Sequence, residues 1–299
     1  MNEATRSELI GFLAHADPVG LAWIGIAFAF VLVHFLSEPL RWRVLFPDTA
    51  SMTTWISVFG LTALVSYIFP FKLGIPLRVY FLHQTMRLSL TKVAGAMGLD
   101  ALVYYGGWLF AGVFGFVLLA RTIAPPEFPV VAVVSVSLAS LIIGIWIVPR
   151  ALRAISRFEL YNRINLMLAQ FTLSRMVLIG VIIAIDIMCQ LLRHAAIAQA
   201  LDLPIDVAAI GALTAIAILV GLLSFTPMGL GGYDAVMVTG LLQFGAPLST
   251  ALILVLLNRL LTISAALLIG GIGGWALRLN PLNLSALRQM LAREKTPYV

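Results

Sequence analysis

PFKLGIPLR at residues 70–78 and PMGLGGYD at residues 227–234 set how this chain is built. Each places proline and glycine between two apolar runs, where an uninterrupted helix tolerates neither well. The first follows the run 53–68 and the second follows 207–226. Pro70, Leu73 and Gly74 align with Pro227, Leu230 and Gly231 at a constant offset of 157 residues. With one residue inserted, Leu90-Thr91-Lys92 then falls on Leu248-Ser249-Thr250, and Asp100 on Asn258. The chain reads as two copies of one pattern: a span, a broken hairpin and a second span.

The surrounding runs match a bilayer. A helix rises 1.5 Å per residue, so about 20 apolar residues cross a hydrocarbon core of roughly 30 Å. Residues 18–37, 93–120, 130–148, 176–201 and 248–277 meet that length. Of the 299 residues, 61% are hydrophobic and 11% charged, against about 45–50% and 25% in soluble domains. A water-soluble enzyme is excluded. The expected fold is an all-α polytopic membrane protein with about five full spans plus two broken, re-entrant helical hairpins. The single cysteine, Cys189, lies inside an apolar run and allows neither an internal disulfide nor a Cys-based metal site.

The net charge of +6 follows from topology rather than from nucleic acid, because Lys and Arg gather in cytoplasmic loops. Arg41 and Arg43 follow the first span. The connector 150–175 carries Arg150, Arg153, Arg157, Arg163 and Arg175 against Glu159, and the tail 278–299 is basic. All fall on one side if the N-terminus is outside and the C-terminus cytoplasmic, in the cell's inner membrane. Glu3, Glu8 and Asp17 against Arg6 are the reverse of a signal peptide's basic start, so the first span is expected to stay in place. Three full crossings separate the hairpins, which makes the halves oppositely oriented. The expected division of this single transmembrane domain is a first repeat 18–149 with hairpin 53–88, the connector 150–175, a second repeat 176–277 with hairpin 207–245, and the tail 278–299. Paired broken helices in an inverted repeat point to a transport site, because unwound backbone at membrane depth must be buried in protein or line a cavity.

A lipid headgroup carries a phosphate, and half-helix N-termini offer free N–H groups to an anion. Gly74 at the first break and Gly229, Gly231 and Gly232 at the second would let the phosphate approach the backbone. Lys72 and Arg78 flank the first break, and Arg259 lies in the last span; Arg grips phosphate bidentately. Charges at depth are normally paired or functional, and Asp234 with Arg259 is the expected pair, either a structural tie or a bond that substrate opens. A second polar set, for coupling or for lining a cavity, comprises Asp100, Asp186, Gln190, Arg193 and Asn258. Asp186, Gln190, Arg193 and His194 recur at spacings of three and four, so they share a face that should turn from lipid. His194 is expected at a solvated interface, Arg41 and Arg43 at anionic headgroups, and Tyr104, Tyr105 and Trp108 in packing. The sequence offers no metal-ligand cluster, nucleotide loop or nucleophile-base pair, and no cofactor is expected.

At these same residues the chain resembles the transmembrane region of lysylphosphatidylglycerol synthases, the flippase-like membrane family that includes the multiple peptide resistance factor. The likeness rests on Arg41-Trp42-Arg43; on Pro70, Lys72, Gly74 and Arg78; on Pro227, Gly229, Gly231 and Asp234; and on Arg259 in the last span. Ile75 stands where the family usually has an acid, and Ala96 and Met97 where Glu and Arg commonly precede the membrane Asp. Coupling through those carboxylates is therefore not implied. The family usually has one further N-terminal span, which this chain is expected to lack, and nothing resembles the acyltransferase domain that makes aminoacyl lipids. The resemblance implies lipid translocation without synthesis, on a phosphate-containing lipid or lipid-linked carrier. The alternatives are a secondary transporter of a small anion, or an intramembrane enzyme or accessory subunit acting on polyprenyl-phosphate sugars. Expected partners are membrane lipids, with a second copy of the chain or a separate lipid-modifying enzyme beside them, and not nucleic acid.

Overall fold

The computed structural model describes residues 18–68, 73–123, 172–223, 226 and 229–277. Lys72, the expected span 130–148, most of the connector 150–175 and the tail 278–299 lie outside the described residues. Among the described residues the chain is helical without a strand: α1 Pro18–Leu45, α2 Met52–Ile68, α3 Gly74–Gln84, α4 Leu90–Ile123, α5 Leu173–Ala200, α6 Val207–Leu223, α7 Gly232–Gln243 and α8 Leu248–Ala276. Helices α1, α4, α5 and α8 are long and apolar enough to cross a membrane. The helices before the breaks, α2 and α6, have 17 residues each, about 25 Å, short of the roughly 30 Å hydrocarbon core.

The end of the first span differs widely from the sequence reading, for a physical reason. The first span was expected to end at Ser37, ahead of Glu38 and Arg41, but α1 continues to Leu45 because those charges find partners inside the protein. The short helix after the first break, α3, starts at Gly74. Pro76 then falls in its first turn, where a missing N–H leaves no bond unmade. Asp206 caps α6, its carboxylate accepting from the Ala208 and Ala209 N–H groups at 2.9 and 3.3 Å.

The longest packed pair is α1 on α5, which run antiparallel. Trp42, late in α1, shares a core with Ile179 and Ile183, early in α5, whereas Ala27 packs with Ala196 and Ile197 at the other end. Helix α2 packs on α8, and α6 on α4; each hairpin also closes on itself, α2 with α3 and α6 with α7. Glycines set both crossings. A Cβ at Gly270 would lie 2.8 Å from the Gly60 carbonyl oxygen, at Gly273 2.5 Å from that of Ser57, and at Gly115 2.7 Å from that of Ala212. Backbones meet there directly, as small residues permit between membrane helices. Helices α3 and α7 end in similar left-handed turns, at Arg87 (φ 55°) and Gly245 (φ 81°), after which the Leu88 and Ala246 N–H groups return to the Leu82 and Leu241 carbonyls.

Polar side chains turn inward. Arg41, Asp100, Asp186, Gln190, Arg193, His194 and Asn258 are all buried, while large apolar residues such as Phe110, Phe114 and Leu267 stand exposed. Such an inside-out distribution suits a lipid solvent.

Candidate functional site

Two polar cavities are stacked along the antiparallel α1/α5 pair. The first, of about 240 Å³, lies toward the end of α1 and the start of α4 and is lined by Glu38, Arg41, Arg78, Asp100 and Asp186 among others. The second, of about 280 Å³, lies toward the end of α5 and the start of α8, with Gln190, Arg193, Gly229, Tyr233, Asn258 and Arg259 in its wall. His34, Tyr67, Ile75 and Tyr104 line both, so the cavities meet at a wall contributed wholly by the first half.

The first cavity is a network of paired charges in which Asp186 Oδ2 is left without a hydrogen bond. Arg41 clasps Asp100 with Nε to Oδ1 at 2.6 Å and Nη2 to Oδ2 at 3.3 Å, and Nη1 donates to Ser37 Oγ at 3.1 Å. Its Nη1 also lies 3.8 Å from Asp186 Oδ2, while His34 Nδ1 meets Asp186 Oδ1 at 2.8 Å. Gln190 Nε2 donates to Asp186 Oδ1 and to the Tyr104 hydroxyl, both at 3.4 Å. Arg78 pairs with Glu38, donates to Thr62 Oγ1 at 3.2 Å and lies over the Phe59 ring, 4.4 Å from its centroid. Every guanidinium here has a carboxylate, the arrangement a buried charge requires.

At the second break, Arg259 grips Asp234 through Nη2 at 2.6 and 2.7 Å and through Nε at 3.1 Å. Asp234 is the third residue of α7, and its Oδ2 accepts from the Gly231 N–H at 3.0 Å. The chain's own carboxylate thus takes a donor of the helix N-terminus that the sequence reading offered to a phosphate. Gly229 and Gly231 are needed for conformation, with φ of 68° and 88°. Gly229 also packs closely on Gly221, and Gly74 on the Thr62 carbonyl, where no side chain fits. Deeper in, the Tyr233 hydroxyl meets His194 Nε2 at 2.5 Å and accepts from Asn258 Nδ2 at 3.1 Å.

Most expected site residues come together at these cavities, though not all in the expected manner. Arg41 is buried against Asp100 rather than placed at headgroups, because α1 carries it inside the bundle; Arg43, two residues on, is exposed. His194 is fully buried and bonded to Tyr233, not solvated, because its whole helix face packs inward. Tyr104, expected only to pack, lines both cavities. The sequence reading missed His34, Glu38 and Tyr67 as site residues. For the first two a signal was available: His34, Ser37, Glu38 and Arg41 recur at helical spacing on one face of α1, as Asp186, Gln190 and Arg193 do on α5. Among the described residues no three His, Cys, Asp or Glu side chains gather into a metal site.

The family model for the lysylphosphatidylglycerol synthase transmembrane region matches residues 6–270. No functionally curated protein matches this sequence. The chain belongs to the lysylphosphatidylglycerol synthase transmembrane-region family, membrane proteins tied to lipids.

Proposed function

We propose that this protein is a lipid translocase, moving a polar, phosphate-bearing lipid or lipid-linked carrier across the inner membrane. The observation that carries this reading is the pair of cavities with charged side chains in their walls, stacked end to end along α1 and α5 and separated by one shared wall. A headgroup in hydrocarbon must exchange its hydration for such a lining. A route of two compartments with a wall between them can open to one side at a time.

The reading includes an inverted repeat of 18–149 and 176–277, with the N-terminus outside, the C-terminus cytoplasmic and the hairpins entering from opposite faces. Exchanging α1 with α5, α2 with α6, α3 with α7 and α4 with α8 carries each packed helix pair onto another packed pair. The offset of 158 residues that relates Asp100 to Asn258 also relates Gly115 to Gly273, both backbone contacts at the crossings, and Arg87 to Gly245, both left-handed turns. Three kinds of feature at one offset support common ancestry of the halves better than chance prolines do.

The test is flux in proteoliposomes. A phospholipid fluorescent at its headgroup should become inaccessible to an impermeant quencher, or newly accessible to it, faster than in protein-free vesicles. Transport of a soluble phosphate or carboxylate with no lipid movement would contradict the proposal and favour a small-anion carrier. Turnover of a polyprenyl-phosphate sugar in detergent, where no sidedness exists, would favour an enzyme.

A further inference from the structure

Among the described Arg and Lys residues, Arg193 is the buried one without a carboxylate partner. Arg41, Arg78 and Arg259 are each paired with a carboxylate, and Arg43, Arg87 and Lys92 are exposed. Arg193 is only 5% exposed, yet no described residue bonds or ion-pairs with it, and its Nε is enclosed without an acceptor. It lines the second cavity, which presents two guanidinium groups and no carboxylate in its wall. One of those, Arg259, is already held by Asp234.

Ten residues into α4 stands Asp100, whose carboxylate neutralises a guanidinium from α1. Ten residues into α8 the corresponding residue is Asn258, which lines the same cavity as Arg193 and carries no charge. The second cavity holds a buried cation with no acid in its wall; Asp186, on the same face of α5, acts on Arg193 only from a distance and is held by His34. An uncompensated guanidinium within a membrane protein is costly; a ligand that supplies the counter-charge accounts for its retention. Hydroxyls stand beside it in the cavity wall: Tyr233 and Tyr104 are engaged by neighbours, while Tyr67 is bonded to no described residue and remains able to donate.

We infer that Arg193 is the phosphate-binding group of this protein, seating the anionic phosphate of the transported molecule in the second cavity. A guanidinium offers two parallel N–H donors to one phosphate, matching its geometry as well as its charge. The phosphate belongs to a lipid headgroup or to free phosphate. The lipid assignment rests on the translocase reading; the anion seat at Arg193 does not.

The test uses the full chain in maltoside micelles, which carry no phosphate, with three additions: dioleoylphosphatidylglycerol, dioleoylglycerol with the same chains but no phosphate, and inorganic phosphate. Phosphatidylglycerol should raise the Tm of the wild type, and dioleoylglycerol should not. R193Q should lose that shift, binding about tenfold or more weakly, while its ligand-free Tm stays equal to or above the wild type's because an unbalanced charge has gone. R193K should retain part of the shift. N258D, which keeps Arg193 and supplies a carboxylate to the same cavity, should also lose it, and it reads the seat if R193Q fails to fold. A shift with inorganic phosphate but not with phosphatidylglycerol, lost in R193Q, supports the seat and contradicts the lipid assignment. Equal shifts in wild type, R193Q and N258D overturn the inference, even where the wild type moves lipid in vesicles.

Discussion

Asp100 and Asp234 each hold a guanidinium with both oxygens, but their surroundings differ. The side chains of the Arg41–Asp100 pair are 3% and 11% exposed, those of Arg259–Asp234 15% and 27%. Removing one partner of a buried pair strands the other, at about 3–5 kcal/mol, whereas water screens a more open pair. Asp100→Ala should therefore cost about 3–5 kcal/mol, and Asp234→Ala less, about 1–2 kcal/mol through the lost cap and pair. Thermal unfolding in detergent measures the order, and equal or reversed losses would contradict it. A charge swap, Asp234→Arg with Arg259→Asp, should recover only part of the loss, because it leaves the Gly231 N–H without its acceptor and sets a cation at the start of α7. Asp234 with Arg259 was legible in the sequence because a half-helix, a turn and a return suffice to join them. Arg41 with Asp100 was not: those residues are 59 apart and separated by a hairpin whose fold their spacing does not reveal.

Hairpin breaks are legible because proline and glycine end helices for local reasons, and the observed α2, α3, α6 and α7 fall where those residues put them. Crossings such as α2 on α8 are tertiary. Glycines scattered through apolar runs do not announce which backbone they touch, yet here they fix the approach of the halves. A Cβ at Gly273 would meet the Ser57 backbone at 2.5 Å, whereas at the adjacent Gly271 it would meet nothing within 4 Å. Gly273→Ala should thus force α8 from α2 and destabilise by about 1–3 kcal/mol. Gly271→Ala should be neutral or slightly stabilising, since alanine favours helix. Denaturation of both variants in detergent checks this, and equal effects would remove the close-contact explanation. The far end of α1 was not legible for a related reason: a run of charges reads as the membrane edge unless the partners that bury them are known.

Two similar halves meet around an antiparallel pair, each half lending a helix to the other's hairpin. In the proposed inverted repeat, the paired charges of the first cavity and the unpaired cation of the second become unlike versions of one design, at opposite ends of the proposed route. Hydrophobic composition made the helical membrane class readable, and the paired breaks are what suggest the proposed repeat. The asymmetry between Asp100 and Asn258 acquired meaning only once each stood beside its own cavity. In the proposed reading, opposite orientation of the halves is what would carry the route across the bilayer rather than leave two pockets on one face. Thr85, just after α3, and Gln243, ending α7, are exposed and related by the 158-residue offset, so they report the two hairpin mouths equivalently. With Cys189 replaced by Ser, Thr85→Cys and Gln243→Cys should each react with an impermeant maleimide from one side of sealed oriented vesicles: Thr85→Cys from the cytoplasmic face and Gln243→Cys from the outer face. Labelling of both from the same face would contradict the inverted arrangement and the translocation route built on it.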